Sequence, residues 1–260
     1  MASSHSGTGE HISVIKGIMN KINITEDVLD CGIQEPTGDD AAKELIVSGK
    51  CPTKLHTNCS GKHVGVIAAA KLKRYDTEGY FKPEHPIQSD ILKVISDFTS
   101  LEPGSILKGV DGCGIPVFAI PLKNMALAYA RLCEFEWLDG MYGRSQKMVV
   151  NAMKEYPDMV AGHGRVDTEL MKLFGDRVIG KSGAEGVFCA VLPAAGIGIA
   201  IKIEDGSNRA VAPVILETLV QMDVINKDEM GQLKRLWHPP VLNRKDEMVG
   251  EIRPCFQLAR

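Results

Sequence analysis

Three short apolar runs, bounded by glycines, follow one another in the second half of the chain and limit how it can fold. They cover residues 177–181, 187–192 and 197–203. Apolar runs of this length, rich in β-branched residues, are typical of strands. Only a few residues separate them, which suits antiparallel pairing, whereas parallel strands need a long crossover. The runs therefore predict an antiparallel sheet.

Helix-like segments come before and after these runs. In residues 10–21, isoleucines recur at three- and four-residue steps, and Thr8 or Ser6 can cap the start. Further helices are predicted over residues 25–29, 39–47, 62–73, 86–98, 122–132, 145–156 and 167–173 and up to residue 220, with two more strands at 106–110 and 115–121. We expect an α/β fold of the α+β type, mainly antiparallel sheet packed with helices. In the absence of a linker or repeat, we expect one domain over residues 1–260.

The charge balance excludes some classes of partner. Lys and Arg number 30 against 33 Asp and Glu, a formal net charge of −3. A chain without an excess of positive charge is not suited to nucleic acid or to an anionic membrane. A small neutral or zwitterionic ligand fits this balance better.

The pattern of apolar residues and cysteines indicates the compartment. The longest apolar stretches, at residues 64–70 and 187–203, are too short or too interrupted to span a bilayer, and the first residues do not form a secretory signal. Seven cysteines spread through 260 residues do not form a disulfide-rich pattern. We therefore expect a cytoplasmic protein whose cysteines are thiols, core residues or metal ligands.

Cys59 and Cys113 lie in the two loops with the densest polar and glycine content, which suggests that these loops meet. Thiolates bind zinc well, and further ligands could come from nearby residues. These are His56, Lys62, His63 and Asp111. No CxxC or HExxH motif supports a metal, so unliganded loop thiols are the alternative.

Lys181 is the best-placed lysine for a role as a base, because it stands between a strand and the turn 182–186. Burial can lower the pKa of a lysine enough for it to take a proton from a serine hydroxyl. Ser4 and Ser60 are serines near a possible base, although neither motif is specific. The alternative for Lys181 is a solvated residue at the end of a strand.

Other motifs are weaker. The Ser-x-x-Lys pairs Ser13/Lys16 and Ser105/Lys108 are expected on the surface. After the turn at 162–167, a helix cap at Asp167 or Thr168 is a better interpretation than a ligand contact. Gly-Ile-Gly at 196–198 lies inside a strand-like run and is not a dinucleotide site.

Two specific motifs and several supporting ones occur together in one order. The specific motifs are Asn-Cys-Ser-Gly-Lys-His at 58–63 and Asp-Gly-Cys-Gly-Ile-Pro at 111–116. The supporting motifs are Ser-His-Ser-Gly at 4–7, Val-Ala-Gly at 160–162, Gly-Arg at 164–165, Asp-Thr at 167–168 and Lys-Ser-Gly-Ala-Glu-Gly-Val at 181–187. With this set the chain resembles the rhizobial-type, zinc-binding L-asparaginase II family from residue 3 to at least 212, and more loosely over 240–254.

The resemblance implies a fold similar to serine β-lactamases and glutaminases. It also implies hydrolysis of the side-chain amide of L-asparagine to aspartate and ammonia. That family uses two Ser/Lys pairs, one of which corresponds here to Ser4 and Lys181.

The resemblance further implies a zinc site. Its ligands correspond to Cys59, Lys62 and Cys113, with water completing the shell, whereas residue chemistry alone would favour His63 over a lysine. His63 and Asp111 then become the expected substrate contacts. For partners we expect L-asparagine, no nucleic acid and no membrane, with a homodimer left open.

One departure from the family concerns its other Ser-x-x-Lys pair, which lies upstream of the Ser-His-Ser-Gly motif. Met1 begins just before that motif. We therefore expect the N-terminal segment with the nucleophile, a strand and a helix to be missing and a groove to be left unfilled. The alternative function is a non-catalytic zinc- or amino-acid-binding relative with a regulatory role.

Overall fold

The computed structural model describes residues 4–259 and places helices and strands where the sequence pattern predicts most of them. The helices are α1 (Gly9–Lys21), α2 (Asp39–Val47), α3 (Ser60–Leu72), α4 (Pro86–Thr99), α5 (Leu122–Leu132), α6 (Gly143–Glu155), α7 (Val166–Phe174), α8 (Val211–Gln221) and α9 (Lys234–Trp237). The strands are β1 (Leu107–Val110), β2 (Pro116–Ala119), β3 (Ile179–Ser182), β4 (Val187–Leu192), β5 (Ile197–Lys202), β6 (Pro240–Leu242) and β7 (Met248–Glu251). The chain is therefore a mixed α/β protein, as predicted.

The three apolar runs form one antiparallel sheet in the order β3-β4-β5. Helix α5 packs directly on this sheet. At Gly198 in β5, an added Cβ atom would lie only 1.8 Å from the carbonyl oxygen of Ala126 in α5. Glycine at this position therefore allows α5 and β5 to approach closely. This packing accounts for Gly198 in the Gly-Ile-Gly motif at 196–198.

The remaining strands pair separately. β1 pairs with β2 and β6 with β7, in both cases antiparallel. In the β1–β2 hairpin Val110 lies opposite Pro116, so that residues 111–115 form its turn. Among the described residues the strands thus form three small antiparallel sheets rather than one large one.

The first half of the chain packs around α1 and α3. Thr8 caps α1, since its side chain accepts from the backbone N–H of His11. Ile15 of α1 and Val64 and Ile67 of α3 are fully buried in a shared apolar core. This packing fixes the start of α3, where the first polar loop ends.

Two local predictions were wrong. Residues 25–29 do not form an α-helix, but a single 3₁₀ turn at Glu26–Val28. Asp167 does not cap α7. It lies in the first turn of that helix, and its carboxylate accepts a hydrogen bond from the backbone N–H of Ser182 in β3. Within residues 4–259, no helix combines the length and the apolar character needed to cross a bilayer.

Candidate functional site

The two cysteine loops meet, as predicted. Cys59 is the residue that precedes α3, and Cys113 lies in the turn of the β1–β2 hairpin. Their sulfur atoms and a carboxylate oxygen of Asp111 all lie within 4.8 Å of one another. The hairpin turn is closed by backbone hydrogen bonds from Asp111 to Ile115 and from Gly114 to Asp111, each 2.9 Å long. Gly114 has a φ of +88°, a conformation that favours glycine.

Lys62 extends this cluster from the first turn of α3. Its Nζ lies 2.8 Å from Oδ2 of Asp111, and both side chains are about one-third exposed, at 29% and 33%. Burial would lower the pKa of Lys62, but the hydrogen bond to Asp111 and the nearby thiols raise it above its usual value. At Asp111, burial would raise the pKa of the carboxyl. The hydrogen bond from Lys62 and its charge outweigh burial, so this pKa falls below its usual range.

The two thiols have pKa values shifted in opposite directions. The hydrogen bond between them lowers the pKa of Cys113 and raises the pKa of Cys59. The Cys113 sulfur also lies 3.6 Å from Oδ2 of Asp111. A thiolate beside a carboxylate is stabilised by a nearby cation, and in this structure the Lys62 ammonium supplies one. Two sulfurs and a carboxylate fit a zinc ion by donor chemistry, with Lys62 able to join only as a neutral amine.

His63 contributes a ring N–H to this cluster. Tyr80 is buried, and its hydroxyl accepts from the backbone N–H of Asp30 at 2.9 Å and lies 2.5 Å from Nδ1 of His63. A buried hydroxyl needs an acceptor for its hydrogen, and Nδ1 is that acceptor. The ring hydrogen of His63 is therefore on Nε2. This buried nitrogen makes no hydrogen bond of normal geometry in the described part of the chain, although His63 lies near enough to Cys113 to lower the pKa of that thiol.

Lys181 is not a solvated strand-end residue. Its side chain is only 18% exposed, and its Nζ lies 3.3 Å from Oδ1 of Asp167, which is fully buried. The same Nζ donates to the carbonyl oxygen of Ser182 at 2.7 Å. Burial lowers the pKa of Lys181, and the charge of Asp167 opposes that effect. The charge of Cys59 also acts on Lys181, which shows that this amine and the thiol cluster lie near each other.

Ser182 links Lys181 to a second cation. Its Oγ lies 3.4 Å from Nζ of Lys181 and accepts from Nη2 of Arg165 at 3.1 Å. Arg165 immediately precedes α7, and its charge also lowers the pKa of Lys181. Two positive groups and one buried carboxylate, that of Asp167, therefore surround one hydroxyl.

Ser4 begins a segment that runs between two loops. The backbone N–H of His5 donates to the carbonyl of Asn58 at 3.1 Å, and that of Ser6 to the carbonyl of Ala161 at 2.9 Å. Ser4 itself is half-buried and has a φ of +53°. Within residues 4–259, no hydrogen bond joins its hydroxyl to Lys181, so the predicted pair is not in direct contact.

His5 and Ser60 do not form a catalytic dyad. Nδ1 of His5 accepts from the backbone N–H of Gly7 at 3.0 Å, which places the ring hydrogen on Nε2. Nε2 lies 2.9 Å from Oγ of Ser60, which in turn donates to the carbonyl of Leu55 at 2.9 Å. Because Nε2 is a donor here, it cannot take the proton of Ser60.

A cavity of about 770 Å³ borders Lys181. Its other lining residues include Tyr129, Met148, Met153 and Met159. Among the described residues that line it, Lys181 alone carries a charge. The Lys181 side chain therefore borders an apolar space, and burial of this kind favours the neutral form of the amine.

Sequence reasoning missed Tyr80, Arg165 and Ser182 as members of the site and assigned Asp167 to a cap. Arg165 and Asp167 stand in supporting motifs, and Ser182 directly follows Lys181 in the chain. Membership in these motifs was a signal that could have included the three residues in the site. Tyr80 lies in no motif, and nothing in the sequence connects it with His63.

A family model described as L-asparaginase II matches residues 1–254. No curated protein matches the chain. The matched region includes both cysteine loops and the segment around Lys181.

Proposed function

This chain belongs to the L-asparaginase II family, and from that premise we propose that it hydrolyses the side-chain amide of L-asparagine to L-aspartate and ammonia. The observation that carries the proposal is the environment of Lys181. An amine that burial and Arg165 push towards its neutral form is suited to proton transfer. Its Nζ lies 3.4 Å from the hydroxyl oxygen of Ser182 and 3.3 Å from the carboxylate of Asp167.

In the proposed reaction, a serine oxygen attacks the amide carbon to form a serine ester, while Lys181 takes the hydroxyl proton and passes a proton to the leaving ammonia. Water then hydrolyses the ester, which releases L-aspartate and restores the serine hydroxyl. We assign the hydroxyl paired with Lys181 to Ser4. The peptide segment that follows Ser4 is held at both ends by hydrogen bonds to neighbouring loops, which supports a fixed position for it. A small movement of the Ser4 side chain is required, because the two groups are not hydrogen bonded.

We further propose that the thiol cluster holds zinc through Cys59, Lys62 and Cys113. The two sulfurs lie close enough to share one ion. Lys62 must lose its proton and its pairing with Asp111 to become a ligand, which frees Asp111 to contact the substrate. Zinc held by these residues would supply positive charge for the substrate amide or carboxylate.

His63 is the second proposed substrate contact. Its Nε2–H is held by Tyr80 in the donor state and has no partner among residues 4–259. A donor of this kind suits a carbonyl or carboxylate oxygen.

From the family resemblance, the proposal also includes the rhizobial, zinc-binding subtype and a β-lactamase-like fold in one domain. It further includes a cytoplasmic location and assembly as a homodimer.

The test is ammonia release from L-asparagine and, for comparison, L-glutamine. It is made on the 260-residue chain and on the longest in-frame chain that its gene encodes, since the family carries a second Ser-x-x-Lys pair ahead of the Ser-His-Ser-Gly motif. We expect Lys181→Ala to abolish release and Lys245→Ala, at an exposed lysine, to leave it unchanged. Release by Lys181→Ala at the wild-type rate would refute the assignment.

A second candidate function is a zinc- or amino-acid-binding relative that does not turn over. The observation in its favour is that Ser4 and Lys181 are not hydrogen bonded within the described residues. Metal analysis together with asparagine calorimetry separates the two candidates. Binding of asparagine without ammonia release would support the second.

A further inference from the structure

Arg165 is a half-buried cation that no carboxylate neutralises. Its only side-chain hydrogen bond in the described part of the chain goes to Oγ of Ser182, at 3.1 Å. Within residues 4–259, no carboxylate oxygen lies within 4.0 Å of its guanidinium group, although other half-buried cations such as Lys62 have such a partner. A guanidinium in this position gains stabilisation when an anion binds.

The surroundings of Arg165 carry an excess of positive charge. Lys181 lies beside it, since the charge of Arg165 acts on this lysine. The buried carboxylate of Asp167 pairs with Lys181 through Oδ1, so it balances only one of the two cations. An anionic ligand is therefore attracted to this corner of the site.

Ser182 adds a hydrogen-bond donor at the same point. Its oxygen accepts from Arg165 and lies in hydrogen-bond range of Lys181, which only donates while it carries its proton and pairs with Asp167. The hydroxyl hydrogen of Ser182 has no acceptor among the described residues. Because the side chain is half-buried rather than enclosed, this hydrogen remains available to a ligand.

We propose that Arg165 and Ser182 bind the α-carboxylate of the amino-acid substrate and thereby determine its specificity. A planar guanidinium and an adjacent hydroxyl can each donate to one oxygen of a carboxylate. This assignment rests on the proposed function, because it takes the substrate to be an amino acid whose amide lies near Lys181. In L-asparagine two carbon atoms separate the carboxylate from the amide carbon, so that both groups can occupy neighbouring positions.

A comparison of two substrates tests the role of Arg165. The second substrate is 3-aminopropanamide, which is L-asparagine without its carboxylate. We expect Arg165→Gln to lower kcat/KM for L-asparagine by roughly 10- to 100-fold, mainly through a higher KM, because a charge-assisted hydrogen bond is lost. Because loss of Arg165 also raises the pKa of Lys181, the substrates are compared on the pH-independent plateau of kcat/KM, where the same change should leave 3-aminopropanamide within about threefold. Equal losses with both substrates would overturn the proposal.

The matched control is Arg209→Gln, which removes the same charge from an exposed arginine paired with Asp205. It should leave both substrates unaffected. Should Arg165→Gln fail to fold, Ser182→Ala provides the same comparison with a smaller expected loss, of roughly 3- to 10-fold for L-asparagine alone.

Calorimetry separates this proposal from the proposed function. We expect the wild type to bind L-aspartate more tightly than 3-aminopropanoate, which lacks the α-carboxylate, and Arg165→Gln to remove that difference. If the protein binds L-aspartate in this way but releases no ammonia, the proposed function fails and the carboxylate site stands. If Arg165→Gln retains the full preference for L-aspartate, the carboxylate site fails whatever the activity.

Discussion

The hydroxyl oxygen of Tyr80 lies 2.5 Å from Nδ1 of His63 and holds this histidine as an Nε2–H donor. A histidine in this state donates to sulfur or oxygen and does not ligate a metal through Nε2. This contact explains chemically why the neighbouring Lys62, rather than His63, would complete a zinc site.

Tyr80→Phe removes only this oxygen. We expect the ring hydrogen of His63 to redistribute between Nδ1 and Nε2, because the acceptor at Nδ1 loses its donor. Nitrogen-15 NMR of the histidine rings measures this directly. Loss of the buried hydrogen bonds should also destabilise the protein by about 1–3 kcal/mol.

The control for this change is Tyr156→Phe, whose hydroxyl bonds only to Glu155 on the surface. It should alter neither the histidine spectrum nor the free energy of unfolding by more than about 0.5 kcal/mol. A His63 spectrum that stays the same in Tyr80→Phe would show that Tyr80 does not set the tautomer.

Zinc content should depend on the two clustered thiols. We expect Cys59→Ala and Cys113→Ala each to lose most of the bound zinc, since a site with one sulfur removed is incomplete. Mass spectrometry of metal after dialysis measures it. Cys51→Ala, at an exposed cysteine outside the cluster, is the matched control and should retain zinc. Unchanged zinc in both clustered variants would eliminate this metal site.

Substitutions of Asp167 and of Arg165 should shift the pH profile of kcat/KM in opposite directions. Burial lowers the pKa of Lys181, Asp167 raises it and Arg165 lowers it further. If Lys181 acts as a base, activity is lost as pH falls through its pKa. The acidic limb of kcat/KM should therefore move to lower pH in Asp167→Asn and to higher pH in Arg165→Gln. Shifts of the same sign in both variants would contradict a role of Lys181 as the base.

His5 should make the fold sensitive to acid. Burial, and then the charges of His11 and His56, lower the pKa of His5 from 6.5 to about 3. Between these values the unfolded chain binds a proton that the folded chain does not. The free energy of unfolding should therefore decrease as pH falls through this window, by at most about 1.4 kcal/mol per pH unit from this group. Above pH 7 it contributes no slope.

Urea unfolding at a series of pH values measures this effect. The variant His5→Gln cannot titrate, so its stability should fall less steeply between pH 6.5 and 4 than that of the wild type. Parallel curves for the two proteins would show that His5 is not responsible.

The sequence predicted most of the fold because most elements depend on local patterns. The run at 187–192 became β4 with the same bounds, and residues 39–47 became α2, since periodicity and glycine stops act over short distances. Residues 25–29 failed because four or five residues with an acidic first turn do not suffice for an α-helix without packing. Only a single 3₁₀ turn forms there.

The site was predicted less completely than the fold. The meeting of Cys59 and Cys113 followed from loop composition, and that prediction was confirmed. The pairing of Asp167 with Lys181 could not be predicted, because it depends on how α7 packs against β3, and the local pattern favoured a cap. Contacts of this kind are set by tertiary structure, which a single sequence does not reveal.

The strand order has a consequence for the behaviour of Asp167. In the sheet β3-β4-β5, β3 lies at the edge, and the backbone N–H of Ser182 on its outer side donates to Asp167. A buried donor without an acceptor is costly. Asp167 thus supplies the acceptor that an outer strand lacks where no further strand pairs with it. Asp167→Ala, unlike Asp167→Asn, should leave this N–H without a partner and lower the free energy of unfolding by about 1–3 kcal/mol, which urea unfolding would detect.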